Sequence, residues 1–163
     1  MPSSSYTSFT PQPGRPPRVV LETAIVMSAL MFGGGPGSRL REYWQLGYCR
    51  PLLCMTTLLD LTRTLAHPQL GLNRIEQQQL LADYLPHALK VRVPAAQRRE
   101  GDDQPPALAF ARLAMAGKAH VLVTGEPDML TMQGRLSCGV MALEPFLDTL
   151  AGSGIKPQPL RPR

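Results

Sequence analysis

Val121-Leu122-Val123-Thr124-Gly125-Glu126-Pro127-Asp128 is the stretch on which the fold turns. An apolar run breaks off into small and acidic residues. The same layout occurs near the start, where Val19-Val20-Leu21 runs into Glu22-Thr23-Ala24. Apolar runs this short and this rich in valine read as buried strands of a parallel sheet. Open sheets with helices on their faces bind ligands at the carboxyl ends of their strands. A carboxylate at each of two such ends therefore points to one shared acidic site, and sites of this kind hold divalent cations.

Working outward, strands alternate with helices along the chain. Arg18–Glu22 reads as the first strand and Ala24–Met31 as an apolar helix. Gly33–Gly37 is a loop. Ser38 is placed to cap a helix through Leu46, which Gly47 ends. Arg50–Cys54 is a second strand. Thr56 or Thr57 caps a helix with Leu58, Leu61 and Leu65 on its buried face, and Asp60 lies about one turn inside it. Asn73 caps a helix over 74–85, and Ala88–Val93 is a third strand. Pro105 and Pro106 open a helix to Ala116. Val121–Thr124 reads as the central strand, and Gly139–Ala142 with a helix over 144–150 closes the domain. This alternation predicts an α/β fold, a three-layer α/β/α sandwich around a central parallel sheet. Residues 1–17, rich in Ser and Pro, read as a disordered arm, 18–151 as the domain, and 152–163 as a flexible basic tail.

A chain of 163 residues suits one domain with a core of its own. The net charge is +5, but four of the 17 basic residues and none of the 12 acidic ones fall in 1–17 and 152–163. The body is therefore near neutral. If its acids gather in one site, the remaining surface is positive, a layout suited to a phosphate-backbone ligand. Cys49, Cys54 and Cys138 are odd in number and lack a C-x-x-C pair, which argues against a zinc or disulfide framework and fits reduced, buried thiols in a cytoplasm. His67, His87 and His120 have no metal-ligand spacing. The sequence has neither a membrane-spanning run nor the order of a signal peptide.

Each acid has a plain reading beside the functional one. Glu22, Glu126 and Asp128 could be strand-end acids facing solvent, and Asp60 a solvated helix residue. Asp102 and Asp103, just before a helix, suit caps or helix-dipole partners. Gly33-Gly34-Gly35-Pro36-Gly37 is no phosphate loop, since it neither follows a strand nor ends in Gly-Lys-Ser/Thr.

From Arg18 to Leu150 the chain resembles the PIN-domain proteins, in the VapC-like branch described as toxin components of toxin–antitoxin systems. The opening strand with Glu22-Thr23-Ala24 and the helix ending Ser28-Ala29-Leu30 match the family's strand, Asp-Thr-Asn and apolar helix. Further matches are the Gly/Pro loop 33–37, Leu58-Leu59-Asp60-Leu61 followed by Leu65-Ala66-His67-Pro68-Gln69-Leu70, and the Ala-rich helix before Val123-Thr124-Gly125-Glu126-Pro127-Asp128-Met129-Leu130. Glu144-Pro145-Phe146-Leu147 matches the closing helix. The resemblance implies metal-dependent cleavage of RNA, with Mg²⁺ or Mn²⁺ activating a water and stabilising charge on the scissile phosphate. It implies Glu22, Asp60 and Glu126 as catalytic acids and Glu22, Asp60, Asp103, Glu126 and Asp128 as metal ligands. Thr23, Thr124 and Asp102 would support them.

Four positions depart from the family pattern, one of them Asp60, which is shorter than the family's more usual glutamate. Glu22 and Glu126 stand where the family has aspartate, and Ala24 stands where it has the asparagine that supports the first acid. Each glutamate moves its carboxylate by one methylene, and Ala24 offers no hydrogen bond. The alternative expectation is thus a PIN-like module that binds nucleic acid or protein with catalysis impaired. Expected partners are RNA, a small antitoxin protein and a second copy of the chain, paired through the exposed aliphatic residues of the 38–47 and 73–85 helices.

Overall fold

The apolar runs become the strands of one sheet. The computed structural model describes residues 9, 11, 14–94 and 106–160, so Asp102 and Asp103 lie outside the described residues. Strands β1 (Arg18–Leu21), β2 (Arg50–Leu53), β3 (Leu89–Lys90), β4 (Val121–Val123) and β5 (Gly139–Met141) stand in the order β3-β2-β1-β4-β5. Every neighbouring pair is parallel. Between them run α1 (Thr23–Met31), α2 (Gly35–Leu46), α3 (Met55–Leu65), α4 (Arg74–Tyr84), α5 (Pro106–Ala116), the single turn α6 (Pro127–Leu130) and α7 (Leu143–Ala151). No helix among the described residues is long and apolar enough to cross a membrane.

One expectation is corrected here. The strand at 121–123 is not the centre of the sheet; β1 is, with β4 beside it. The chain winds outward from β1 to β2 and β3, then returns across β1 to β4 and outward again to β5. The winding direction reverses between β1 and β4. In sheets of this class, that reversal opens a crevice at the carboxyl ends of the two strands. Both acidic strand ends of the sequence therefore flank the same crevice.

Alternation along the strands sorts the core into two layers. Val19, Leu21, Val121 and Val123 face one way, onto α1, α2, α3 and α7 with Ile25, Leu40, Trp44, Leu61 and Phe146. Val20 and Leu122 face the other way, with Leu52 and Val140, onto Phe110 and Leu113 of α5 and Met129 of α6. All four valines and leucines at the heart of β1 and β4 (Val19, Val20, Val121, Leu122) are 0% exposed. Strands buried on both faces explain why the sequence runs continuously apolar there. Trp44 of α2 meets Tyr84 of α4 edge-on at 4.9 Å, and Arg41 pairs with Asp83 between the same two helices.

Element ends shift for local reasons. The second helix starts at Gly35, not Ser38, because Pro36 fits the first turn and Gly34 turns the chain at φ 87°. The loop shrinks accordingly. Gly37 then lies against α1, where a Cβ would stand 2.6 Å from the Ser28 carbonyl oxygen. Cys54, not Thr56 or Thr57, caps α3; the Thr57 hydroxyl accepts from the Cys54 N–H at 3.1 Å. The expected strand over 88–93 pairs only at Leu89 and Lys90, with one further bond from Val91 N–H to the Leu53 carbonyl. Past α7, Ile155 is buried and the Gln158 N–H donates to the Gly47 carbonyl at 2.9 Å. At its amino end, the Phe9 ring lies 6.5 Å from that of Phe146.

Candidate active site

Glu22 is the residue after β1 and the N-cap of α1. Its N–H still bonds to the Val123 carbonyl at 3.1 Å, so the backbone ladder continues one step beyond the strand. Leu21 pairs with Val123 in the parallel register, which makes Glu22 and Thr124 the next pair along. Side chains paired in register project from the same face of the sheet. The Thr124 hydroxyl accordingly donates to Oε2 of Glu22. Glu22 is only 8% exposed, and a carboxylate so buried is costly unless hydrogen-bonded. The partly positive N-terminus of the nine-residue helix α1 favours the anion as well.

Asp60 arrives from another direction. It sits on α3, and its Oδ2 accepts from the hydroxyl of Thr23, in the first turn of α1. Thr23 is buried, at 9% exposure. One turn further along α3, Thr64 donates to the Asp60 backbone carbonyl at 2.7 Å and so shares its face of the helix. Glu126 caps α6, and Asp128 lies in the first turn of that helix; both are exposed. The Glu126 N–H donates to the Thr124 hydroxyl at 3.0 Å.

These residues line one open cleft of about 450 Å³. It is lined by Glu22, Thr23, Ala24, Asp60 and Thr64 together with Ala107, Phe110, Glu126, Asp128 and Met129. Four of the acids expected from the sequence thus share a cavity that has no lysine or arginine among its lining residues. Thr124 is fully buried beneath it and is not part of the lining. Asp102 and Asp103 fall outside the described residues, just ahead of the helix that carries Ala107 and Phe110.

The donors are all hard oxygens, the kind Mg²⁺ and Mn²⁺ take. Glu22 and Asp60 each spend one carboxylate oxygen on a threonine hydroxyl. Among the described residues, no three His, Cys, Asp or Glu side chains stand close enough together to hold an ion between them. That pattern does not suit a closed protein cage. It does suit a hydrated ion held by one or two carboxylates, with remaining positions left for water and phosphate oxygens, as is usual for Mg²⁺.

Groups whose titration is shifted lie outside the cleft lining. His120 Nδ1 accepts from the Arg18 N–H at 3.0 Å, and burial, with help from the nearby Arg18 charge, holds its pKa below the usual 6.5. Burial pushes the Cys49 thiol up to about 12 and raises Cys138. All three cysteines are free and buried.

Sequence reasoning missed Thr64, Ala107, Phe110 and Met129 as cleft walls. Spacing held a signal for two of them: Thr64 lies four residues after Asp60, and Met129 three after Glu126, each one helical turn away. Ala107 and Phe110 come from a helix on the opposite face of the sheet, which only the topology brings over.

A family model described as PIN domain matches residues 18–128. Among solved structures, that of PAE2754 from Pyrobaculum aerophilum is similar in fold. It shows a TM-score of 0.54 and 16% identity over 83% of this chain and 96% of that one. No curated protein matches the chain. The matched segment runs from β1 through the acid-bearing turn at Glu126–Asp128, and with it the chain belongs to the PIN domain family, whose members are in general metal-dependent nucleases.

Proposed function

We propose that this protein cleaves RNA phosphodiester bonds in the cleft between the ends of β1 and β4, with Mg²⁺ or Mn²⁺ as cofactor. The observation that carries this reading is the convergence of Glu22, Asp60, Glu126 and Asp128 on one open cavity without a lining cation. Glu22 and Asp60 would hold the ion, and Asp103 is proposed as a further ligand. When bound, the metal supplies an activated water and neutralises charge on the scissile phosphate. Glu126 and Asp128, exposed at the rim, would orient the attacking water and accept its proton.

The supporting reading in the cell is a VapC-like toxin acting in the cytoplasm, restrained by a small antitoxin protein. Pairing of two copies would use Leu46 of α2 and Ile75 of α4, which are 48% and 66% exposed. A second reading, an RNA-binding PIN module without cleavage, is favoured by the lack of any three-acid cluster among the described residues.

Incubation with end-labelled single-stranded RNA separates the two. The first reading expects fragments with Mg²⁺ or Mn²⁺, none with EDTA, and none from Asp60→Asn or Glu126→Gln. Retention of RNA on a filter without fragments supports the second. Fragments that persist in EDTA or in both variants refute the first.

A further inference from the structure

Two segments at opposite ends of the chain carry the same pattern. Phe9-Thr10-Pro11-Gln12-Pro13-Gly14-Arg15-Pro16 and Ile155-Lys156-Pro157-Gln158-Pro159-Leu160-Arg161-Pro162 share five residues in matching positions, and each opens on a large apolar residue three places before its glutamine. The second segment is seated on the body of the protein. Ile155 is buried in the core layer that holds Trp44 and Phe146. The Gln158 N–H donates to the Gly47 carbonyl at 2.9 Å, and the Gln158 side-chain oxygen accepts from Nη2 of Arg50 at 3.4 Å. Pro159 follows, and having no N–H it leaves no donor to satisfy there. Gly47 makes the close approach possible. It stands at φ 85°, and a Cβ on it would come within 2.3 Å of the Gln158 carbonyl carbon and of the Pro159 nitrogen.

We infer that the seat at Gly47 and Arg50 is a docking site for the Pro-Gln-Pro segment, filled in this structure by the chain's own tail, and that its other occupant is the amino-terminal segment of a second copy of this chain. The seat takes up a backbone N–H, an amide oxygen and the proline that follows. Gln12-Pro13 offers the same three groups in the same order, with Phe9 in the place of Ile155. The amino-terminal segment of the same chain is engaged elsewhere. The Phe9 ring lies 6.3 Å from that of His120 and 6.5 Å from that of Phe146. His120 leads into β4, whereas Gly47 leads into β2, and these two strands lie on opposite sides of β1. The second occupant therefore comes from another molecule. Two chains that lend each other this segment form a closed two-fold pair. The tail competes with the incoming segment, because its tether keeps it at an effective concentration on the order of millimolar. Exchange is therefore weak in the wild-type chain and stronger wherever the tail's own hold is loosened.

Sedimentation velocity on the full chain at rising concentration tests this. Gln158→Ala, which loosens the tail, should strengthen self-association about tenfold, the worth of one hydrogen bond to a charged group. Gln12→Ala, which weakens the incoming segment, should act in the opposite direction by about the same factor and leave the melting temperature unchanged. A labelled peptide spanning Ser8–Pro17 should bind the Gln158→Ala protein about tenfold more tightly than the wild type, and should lose its binding when its own glutamine is replaced by alanine. Gly47→Ala, whose methyl group fills the seat, should bind no peptide. A Gln158→Ala protein that stays monomeric at every concentration overturns the inference. So does association that is indifferent to Gln12→Ala but abolished by Ile75→Asp, which would place the contact on the helices. So does a peptide that binds equally well with and without its glutamine. If Gly47→Ala or Gln158→Ala does not fold, the wild-type chain with the two peptides decides: binding that depends on the glutamine supports the seat, and its absence refutes it.

Discussion

Replacing Thr23 by valine removes one hydroxyl and keeps the β-branched shape that its place in α1 already accommodates. The lost bond is the one from Thr23 to Oδ2 of Asp60, which joins the first turn of α1 to α3. A hydrogen bond to a charged group contributes about 1.5–3 kcal/mol. Asp60 is half-buried at the cleft, so water takes over part of the task and the lower end applies, about 1.5 kcal/mol. For a chain of this length about 2–4 °C of melting temperature corresponds to each kcal/mol, which gives a drop of about 3–6 °C. Differential scanning calorimetry on the metal-free protein measures it directly. Thr23→Ser, which keeps the donor, should recover most of the loss. A Thr23→Val protein that melts within about 1 °C of wild type would refute the bond's contribution, and with it the idea that α1 fixes the Asp60 carboxylate.

Three further outcomes follow from other parts of the molecule. Gly37→Ala should destabilise by about 1–3 kcal/mol in urea unfolding, since the new methyl would stand 2.6 Å from the Ser28 carbonyl oxygen. Stability should fall with acidity because of His120. Its folded pKa lies below the unfolded 6.5, so the unfolded chain binds the proton first. Its contribution is complete above about 6.5 and is lost as pH drops from there through the lower folded value; urea midpoints between pH 8 and 5, compared with His120→Asn, check the slope. Cys49, buried and with its thiol pushed up to about 12, should react with a disulfide reagent at pH 8 only after the protein is unfolded.

Much of this arrangement could be read from residue order. Strands buried on both faces leave an unbroken apolar run, and the acids that end those runs are conspicuous for being charged there. Gly47 at φ 85° and Asn73, whose side chain caps Glu76 N–H, marked helix ends by chemistry that needs no tertiary context. What escaped was decided by contacts across the fold. The close approach of α2 to α1 at Gly37 and the brevity of β3, which pairs only with Leu52 and Leu53, could not be read from either segment alone. In the cleft, Glu22 and Asp60 were visible as candidates, whereas their hydroxyl partners could be assigned only once the register of β1 and β4 and the approach of α3 were known. Phe110 gave no sign of lining a polar site, because an aromatic residue on an Ala-rich helix reads first as core, and at 3% exposure it is core as well.

The account stands most directly on whether one ion sits between the ends of β1, α3 and β4. Substoichiometric Mn²⁺ added to isotopically labelled protein broadens the NMR signals nearest the bound ion. The expected result is early loss of the backbone amide signals of Glu22, Thr23, Asp60 and Glu126, with recovery on adding EDTA and no such loss in Glu22→Gln/Asp60→Asn. Broadening that starts at surface acids away from the cleft, such as Asp83 or Glu144, or that spreads evenly over the chain, would contradict it.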